Sequence, residues 1–383
     1  MTPDRSELLR RVRGLLPSIA EKAVEGAQER RVPPAIIAAL KEADVFRVLQ
    51  PKRWGGYELD PTVLYELEMA VGEADMSTAW LVGVLGIIPW AVALFPDRAA
   101  EEVWGTDTST LICCALRRAG TATPVDGGFQ LSGRWRYASG CGHAGWALLG
   151  GGAGPSPEGD YLMLVPRRDF EILDTWRVAG LKATGSHDVV VKDAFIPAHR
   201  AHRMVDLFDC KGPGQATNSS ALYRLPFGLV FAGGVANAAV GALQGMLNRL
   251  VADVRARSGP TRPDPDLSLV CAEAATTIDE ARALVAHNFA RLADHAARNE
   301  VPPIEERLQI KYQLSLNTER CRVAANRLLE ATGASGLYDD HPYGRIIADI
   351  TAGRQHITNS VALHARDWGQ VMIGQPRRHD FML

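Results

Sequence analysis

The sequence has few cysteines and no excess of charge of either sign, and both shortages exclude classes of protein. It holds six cysteines in 383 residues, and none of them forms a Cys-x-x-Cys pair, so we expect no zinc site. Lysine and arginine total 42 against 44 acidic residues, whereas a nucleic-acid-binding protein would show a basic excess. Scattered cysteines of this kind are typical of a reducing cytoplasm.

Long apolar runs and nucleotide-binding motifs are missing as well. No apolar run reaches the roughly 18 residues that span a bilayer, because Pro89 interrupts the longest candidate, residues 79–95. The first eleven residues lack the apolar core of a signal peptide, so we expect a cytoplasmic protein that does not bind membranes. No P-loop is found, and no Gly-x-Gly-x-x-Gly motif links a strand to a helix, so no NADH site of its own is expected.

The hydrophobic pattern divides the chain into three regions. Residues 1–108 follow helical spacing, whereas residues 109–215 form short apolar runs separated by turns, with a hairpin signal at Asp126-Gly127-Gly128. Residues 216–383 return to helical spacing and end in a predicted helix over Tyr343–Trp368. We predict an α+β protein with an N-terminal helical domain, a central antiparallel β-barrel domain and a C-terminal four-helix bundle.

A stretch rich in glycine and tryptophan allows two interpretations. The segment Gly133–Gly150 reads GRWRYASGCGHAGWALLG. It suits either a tight hairpin in the β-domain or a wall against which a flat cofactor lies. Two further segments combine polar and aromatic residues: WRVAGLKATGSHDV begins at Trp176, and GRIIADITAGRQH runs from Gly344 to His356.

Together these segments and the order of the domains resemble the acyl-CoA dehydrogenase fold, over nearly the whole chain. Within that fold the chain is most similar to the oxygenase components of two-component flavin monooxygenases, such as the p-hydroxyphenylacetate, hydroxy-secosteroid and dibenzothiophene oxygenases. Residues 123–140, followed by His143-Ala-Gly-Trp146, carry the most specific part of this resemblance. It implies a monooxygenase that uses diffusible reduced FMN or FAD and dioxygen. It further implies that an aromatic or polycyclic small molecule is hydroxylated through a flavin C4a-hydroperoxide.

The resemblance also implies roles for individual residues. His356 would lie over the flavin and the substrate, and would deprotonate a phenol or hydrogen-bond the hydroperoxide. Ser139 would donate a hydrogen bond to the N5 side of the flavin. The residues implied to bind the cofactor are Trp135, Ser139, Gly140, Thr184, Gly185, Ser186 and Arg257. The residues expected at the substrate pocket are Trp90, Asp340, His341, Arg345 and Asp349.

The spacing of three of these residues predicts one shared helix face. Arg345 and Asp349 are four residues apart and would pair with each other. His356 follows seven residues after Asp349, which is two turns of a continuous helix. Two positions depart from the family pattern. Ile88 stands where many relatives have a histidine, and the role of His187 is left open.

The resemblance implies partners as well. A separate NAD(P)H:flavin reductase would supply the reduced flavin, and a homotetramer would let Arg257 of a neighbouring subunit complete the flavin site. Three other functions remain open. The chain is alternatively an acyl-CoA dehydrogenase with Asp340 as the base, an N-oxygenase of an amine or amino sugar, or a binding protein without activity.

Overall fold

The computed structural model describes residues 3–154, 159–257, 265–338 and 341–376. Its helices come first, a sheet follows, and helices return. The first helices are α1 (Arg5–Glu29), α2 (Pro34–Glu42), α3 (Pro61–Gly72), α4 (Met76–Val92) and α5 (Asp97–Trp104). The strands are β1 (Ile112–Val125), β2 (Gly128–Ala138), β3 (Trp146–Gly152), β4 (Asp160–Pro166), β5 (Glu171–Leu173), β6 (His187–Pro197) and β7 (Ala201–Arg203). The later helices are α6 (Met204–Phe208), α7 (Phe227–Ala236), α8 (Ala238–Arg257), α9 (Pro265–Ala297), α10 (Ile304–Thr332), α11 (Tyr343–Arg354) and α12 (Val361–Met372).

Helix α4 lies at the centre of the molecule. All 17 of its residues are buried, because its sequence has no polar face to present to solvent. Asp75 caps its N-terminus, where the carboxylate oxygen Oδ2 accepts the Thr78 backbone N–H at 2.8 Å. The helix therefore holds its side chains in fixed positions between the sheet and the later helices.

Glycines bring the first and the last helices into backbone contact. A Cβ atom added to Gly83 of α4 would lie 2.0 Å from the carbonyl oxygen of Gly234 in α7. One added to Gly72 of α3 would lie 2.9 Å from the Cα atom of Gly241 in α8. Any side chain at these positions would force the helices apart. The N-terminal and C-terminal helices thus share one core.

One helical stretch passes the length and hydropathy test for a membrane span, contrary to the expectation that no apolar run is long enough. Residues 227–256 form this stretch, and 94% of its most apolar window is buried inside the protein. It is interrupted at Asn237, between α7 and α8, where the side-chain amide donates to the Gly233 carbonyl at 2.8 Å. Its apolar surface is covered by other helices of the same chain.

The sheet is mixed, so the prediction of a purely antiparallel β-domain is wrong in one pairing. Its strand order is β5-β6-β2-β1-β3-β4-β7, and β1 runs parallel to β3. The chain leaves β2 on one side of β1 and crosses to the other side before β3 begins. Ile112 therefore pairs with Trp146, the first residue of each strand. The predicted hairpin at Asp126-Gly127 connects β1 and β2.

The predicted continuous helix over Tyr343–Trp368 is also wrong. Helix α11 ends at Arg354, a single 3-10 turn spans Ile357–Asn359, and α12 begins at Val361. His356 lies at the break with an extended backbone, and its ring accepts the Thr358 N–H. A side chain that captures a nearby backbone N–H competes with the helix for it, which explains the interruption.

Candidate active site

Trp80 of α4 connects the sheet to the C-terminal helices at one point. Its indole Nε1–H donates to the Ser139 hydroxyl at 3.3 Å. Its ring meets the His356 imidazole edge to face, with ring centroids 5.7 Å apart. The two residues expected to be catalytic, from regions more than 200 residues apart in sequence, therefore contact the same side chain. The sequence analysis missed Trp80, because nothing in a fully buried and mostly apolar helix marks one position as functional.

Three hydroxyl groups form a row that begins at Ser139. The Ser139 and Ser186 Oγ atoms are 2.8 Å apart, and the Ser186 and Thr184 hydroxyl oxygens are 2.6 Å apart. Neighbouring strands cause this arrangement, since Ala138 at the end of β2 pairs with His187 at the start of β6. The structure thus brings together the hydroxyl residues of both predicted flavin-binding segments.

Tyr137 presents an exposed ring beside this row. It is 56% exposed and has a left-handed backbone with φ 69°, which is uncommon for a bulky residue. Its ring meets the Trp176 ring edge to face at 6.0 Å. Strained, exposed aromatic residues are often held in place for a ligand. Sequence reasoning did not single out Tyr137, although it lies two residues before Ser139.

The hydrogen bonds of His356 determine which of its nitrogens carries the proton. Nδ1 accepts the Thr358 backbone N–H at 3.3 Å and lies 2.8 Å from the Thr358 hydroxyl oxygen. A nitrogen that accepts an N–H is unprotonated, so the neutral ring carries its proton on Nε2. Burial lowers the pKa of His356 to about 4. At neutral pH the residue is therefore an uncharged hydrogen-bond donor.

A row of aromatic rings extends from His356 toward Trp90. The Phe231 ring lies 6.1 Å from the imidazole and 6.0 Å from the Phe227 ring. Phe227 in turn stacks on Trp90 at 5.8 Å. The indole N–H of Trp90 is already donated to the Leu222 carbonyl at 2.8 Å. Trp90 is 1% exposed and has no free donor, so it packs in the core behind Phe227.

Arg345 and Asp349 do not form the ion pair predicted between them. The Arg345 Nη1 atom lies 2.6 Å from Oδ1 of Asp75, whereas Asp349 Oδ1 accepts the Leu181 backbone N–H at 2.6 Å. Burial, and then the neighbouring Asp75 carboxylate, raise the pKa of Asp349 to about 7. Asp349 thereby ties α11 to the loop that leads into Thr184.

Trp135 lies in the core of the sheet. Its indole N–H donates to the Gly150 carbonyl at 2.7 Å, and only 1% of the residue is exposed. A Cβ on Gly120 would lie 2.1 Å from the Trp135 ring, and one on Gly133 would lie 2.9 Å from it. These glycines make room for the buried indole, so here the structural interpretation of the glycine- and tryptophan-rich stretch holds.

The predicted glycines of the site also make close backbone contacts. Gly140 has φ 71°, and a Cβ there would lie 3.0 Å from the Leu85 side chain of α4. Its N–H donates to the Thr184 carbonyl at 2.9 Å, which joins the two predicted flavin segments. Gly185 has φ 54° and follows Thr184 in the turn. Both glycines therefore shape the backbone beneath the hydroxyl row.

One predicted residue, His341, is not brought to Trp80, and two others are wholly or partly outside the described residues. His341 stacks on Tyr343 at 5.5 Å, beyond the N-terminal end of α11. This helix has 12 residues, so about 18 Å separate its two ends, and His356 lies beyond the other one. Asp340 lies outside the described residues. Arg257 is the last residue of α8, and its side chain lies outside the described part of the chain.

His187, whose role the sequence left open, holds a loop. Its Nδ1 accepts the backbone N–H groups of Thr175 and Trp176, both at 3.2 Å. Burial lowers its pKa, which favours the neutral ring that these contacts require. His187 thereby fixes the loop that carries the Trp176 ring.

The order of the elements and the Trp80 site define an enzyme with the architecture of the acyl-CoA dehydrogenases. The family described as Acyl-CoA dehydrogenase, C-terminal domain, matches residues 233–361. The chain is 34% identical to the flavin-dependent monooxygenase oxygenase subunit HsaA of Rhodococcus jostii, over 92% of this chain and 94% of that protein. It is 30% identical to the oxygenase component of an FADH2-dependent resorcinol hydroxylase of a Rhizobium strain, over 97% of this chain and 95% of that protein.

A solved structure agrees with these matches. The crystal structure of 3-HSA hydroxylase from Rhodococcus sp. RHA1 superposes with a TM-score of 0.94 at 33% identity, covering 98% of this chain and 99% of that one. The chain belongs to the family of flavin-dependent monooxygenase oxygenase subunits. Its predicted fold and its reduced-flavin chemistry are thereby confirmed.

The described residues fit a reduced flavin. The Tyr137 ring offers an exposed flat surface, and the adjacent Ser139 hydroxyl offers a polar atom at the end of a buried row. His356 adds an uncharged N–H donor across the Trp80 ring. A flat, partly apolar ring system with polar atoms along one edge needs this combination of surfaces.

Proposed function

We propose that this chain is an oxygenase component that hydroxylates an aromatic or polycyclic small molecule with reduced FMN or FAD and dioxygen. The observation that carries the proposal is the contact of Trp80 with both Ser139 and His356. Through it, one rigid helix sets the distance between the predicted flavin contact and the predicted oxygen-transfer residue. Sites built on rigid elements hold reacting groups more precisely than sites on loops.

Tyr137, Ser139 and the Thr184–Ser186 turn would hold the flavin. A reduced flavin bound there would supply the electrons that activate dioxygen and would deliver one of its oxygen atoms. One oxygen atom would be inserted into a C–H bond of the substrate as a hydroxyl group, and the other would leave as water with the two hydrogens of the reduced flavin, which would be released oxidised. The protein's contribution is to position these reactants and to exclude water.

His356 acts through the proton on Nε2. Because Nδ1 is occupied by the Thr358 N–H, Nε2 is left to donate a hydrogen bond to an oxygen atom in the site. Since the ring stays uncharged above about pH 5, it stabilises this oxygen without adding a proton at neutral pH. This favours the hydrogen-bonding role of His356 over the alternative role as a base for a phenol.

The aromatic row supports an aromatic substrate. Phe231, Phe227 and Trp90 form a continuous apolar wall that begins at His356. Aromatic rings pack well against such walls in edge-to-face or offset arrangements. The names of the relatives, which include a resorcinol hydroxylase, point to the same class of substrate.

We further propose that a separate NAD(P)H:flavin reductase supplies the reduced flavin and that the protein acts in the cytoplasm. The relatives are named as subunits or components, and the sequence offers no nicotinamide-binding motif. A homotetramer, with Arg257 reaching a neighbouring flavin site, stays a prediction. Large apolar side chains that are more than half exposed near the C-terminus support association of copies: Leu337, Tyr338, Ile357, Met372 and Ile373.

The test is isotope incorporation under controlled flavin supply. The protein is loaded anaerobically with photoreduced FMN or FAD and mixed with ¹⁸O₂ and a panel of phenols and polycyclic phenols. We expect one ¹⁸O atom per product molecule and little hydrogen peroxide with the correct substrate class. His356→Ala should bind reduced flavin but release peroxide in place of product.

The alternatives predict different results. Anaerobic bleaching of bound oxidised flavin by an acyl-CoA would establish a dehydrogenase. Oxygen incorporation only into amines or amino sugars would establish an N-oxygenase. Failure to bind any flavin would leave a binding protein without this activity.

A further inference from the structure

We propose that Thr184 and Ser186 set the direction of the hydrogen bonds along the hydroxyl row, so that Ser139 accepts a hydrogen bond from the flavin and the site selects the reduced form. This inference rests on the proposed function. It assigns Thr184 and Ser186 as specificity-determining residues that act through Ser139.

The direction of the row is fixed at its buried end. The Thr184 hydroxyl lies 2.8 Å from the Leu181 carbonyl oxygen, which can only accept, so Thr184 donates its single proton there. Thr184 therefore accepts from Ser186 across the 2.6 Å contact. Ser186 has then used its only proton, so it accepts from Ser139 across the 2.8 Å contact.

Ser139 is left with one unused acceptor position. Its proton goes to Ser186, and one lone pair takes the indole N–H of Trp80 at 3.3 Å. A hydroxyl oxygen accepts two hydrogen bonds, so one lone pair remains. Thr184 is 1% exposed, Ser186 3% and Ser139 9%, so exposure increases along the row toward Ser139. The structure thus favours an acceptor at Ser139, in place of the donor that the family resemblance implied.

The two redox states of a flavin differ at the atom that faces such an acceptor. N5 of a reduced flavin carries a proton and donates, whereas N5 of an oxidised flavin has a bare lone pair. With an oxidised flavin, the lone pair of N5 would face the unused lone pair of the Ser139 hydroxyl. The only way to avoid this repulsion would be for Ser139 to turn its proton away from Ser186. Either choice loses one buried hydrogen bond, which corresponds to a preference of roughly 3- to 10-fold. The row thereby favours entry of reduced flavin and departure of oxidised flavin.

Equilibrium binding of both flavin states tests the proposal without measuring turnover. Dissociation constants of reduced flavin are measured anaerobically and those of oxidised flavin by fluorescence quenching, for the full-length protein. In Thr184→Val the hydroxyl that accepts from Ser186 is lost, so Ser186 and Ser139 can reverse the direction in which they donate. We expect the ratio of the oxidised to the reduced dissociation constant to fall roughly 3- to 10-fold.

Two further variants control this result. Ser186→Ala removes the hydroxyl that accepts from Ser139, so Ser139 can donate its proton to the flavin instead. This variant should lower the ratio of the two dissociation constants by a similar factor. Thr184→Ser keeps the hydroxyl and should keep the wild-type ratio. An equal change of both dissociation constants in Thr184→Val and Ser186→Ala, with the ratio preserved, would overturn the proposal.

A modified flavin tests the wild-type protein directly. In 5-deazaflavin a carbon replaces N5, so the oxidised form has no lone pair at this position and the reduced form has no N–H. We expect the wild type to discriminate between the redox states of 5-deazaflavin several-fold less than between those of the natural flavin. Equal discrimination would contradict the proposal even if every variant failed to fold.

These outcomes separate the inference from the proposed function. Wild-type protein that binds neither form of FMN or FAD would overturn both. Wild-type protein that binds reduced flavin and hydroxylates its substrate, while Thr184→Val and Ser186→Ala keep the wild-type ratio, would overturn only the role of the hydroxyl row.

Discussion

The backbone N–H of Thr358 donates to Nδ1 of His356 at 3.3 Å, and this contact leaves Nε2 as the nitrogen that donates. The same contact caps the 3-10 turn that follows His356, so the residue has a structural and a chemical task. The two tasks are separable, because asparagine also caps well but does not place a donor at the position of Nε2.

His356→Asn should therefore keep the fold and lose oxygen transfer. We expect a roughly 100-fold lower rate of product formation, as when a single donor to a reacting oxygen is removed, with flavin oxidation diverted to hydrogen peroxide. His356→Ala should show the same loss and also unfold about 1 kcal/mol more easily, because the cap is gone. Product, peroxide and urea unfolding are measured for both variants. Product yields near wild type in His356→Asn would show that Nε2 is not needed.

The lowered pKa of His356 predicts a pH dependence of stability. An unfolded histidine binds a proton near pH 6.5, whereas folded His356 does so only near pH 4. The unfolded state thus gains a proton that the folded state lacks, and stability falls as the pH drops from about 6.5 to about 4. We expect the wild type to lose on the order of 1–3 kcal/mol more than His356→Asn over this interval. Parallel urea titrations with the same pH profile would contradict the burial of an uncharged ring.

Asp349 predicts the opposite trend. Its folded pKa of about 7 lies above the ordinary value of 3.8, so the folded state holds an additional proton between these limits. Stability from this group is complete below about pH 4 and is lost as the pH rises to about 7. Asp349→Asn keeps an oxygen for the Leu181 N–H but cannot titrate. We expect the stability of the wild type relative to this variant to fall by on the order of 2–4 kcal/mol from pH 4.5 to pH 8.

Urea unfolding at four or five pH values measures this difference. A difference between the wild type and Asp349→Asn that is independent of pH would mean that Asp349 is ionised throughout. Flavin affinity is measured in the same samples, because Asp349 anchors the loop that leads into Thr184.

Gly120 and Gly14 form a matched pair for the packing around Trp135. Gly120→Ala would place its Cβ 2.1 Å from the buried indole, so we expect a loss of roughly 2–4 kcal/mol in the free energy of unfolding. Gly14 lies inside α1 with no atom within 4 Å of an added Cβ, so Gly14→Ala should gain about 0.5–1 kcal/mol. Thermal unfolding compares the two. A tolerated Gly120→Ala would show that the indole has room to move.

The sequence was most informative where a local signal and the fold agree. The turn at Asp126-Gly127 does connect two strands, and Gly127 supplies the positive backbone angle of this turn, with φ 75°. The alternating apolar and polar residues on either side of the turn are strands, as this pattern predicts. The family resemblance predicted the overall architecture correctly, because it rests on long segments rather than on single residues.

The sequence was least informative where long-range contacts override local pattern. Helical spacing extends through His356, yet the capture of the Thr358 N–H breaks the helix there. Arg345 and Asp349 have the spacing of an ion pair, yet Asp75 and the Leu181 N–H lie closer to them in the fold. The parallel pairing of β1 with β3 depends on a chain crossing that no local pattern encodes.

The glycine contacts between α4 and α7 have a consequence for how the chain is made. Residues 227–256 are apolar enough to be taken for a membrane segment while they emerge from a ribosome. Helices α3 and α4 are synthesised earlier, so the helices against which α7 packs are already present when α7 emerges. A circular permutant that starts at residue 216 would reverse this order. It would present its apolar helices to chaperones and membranes before any partner helix existed.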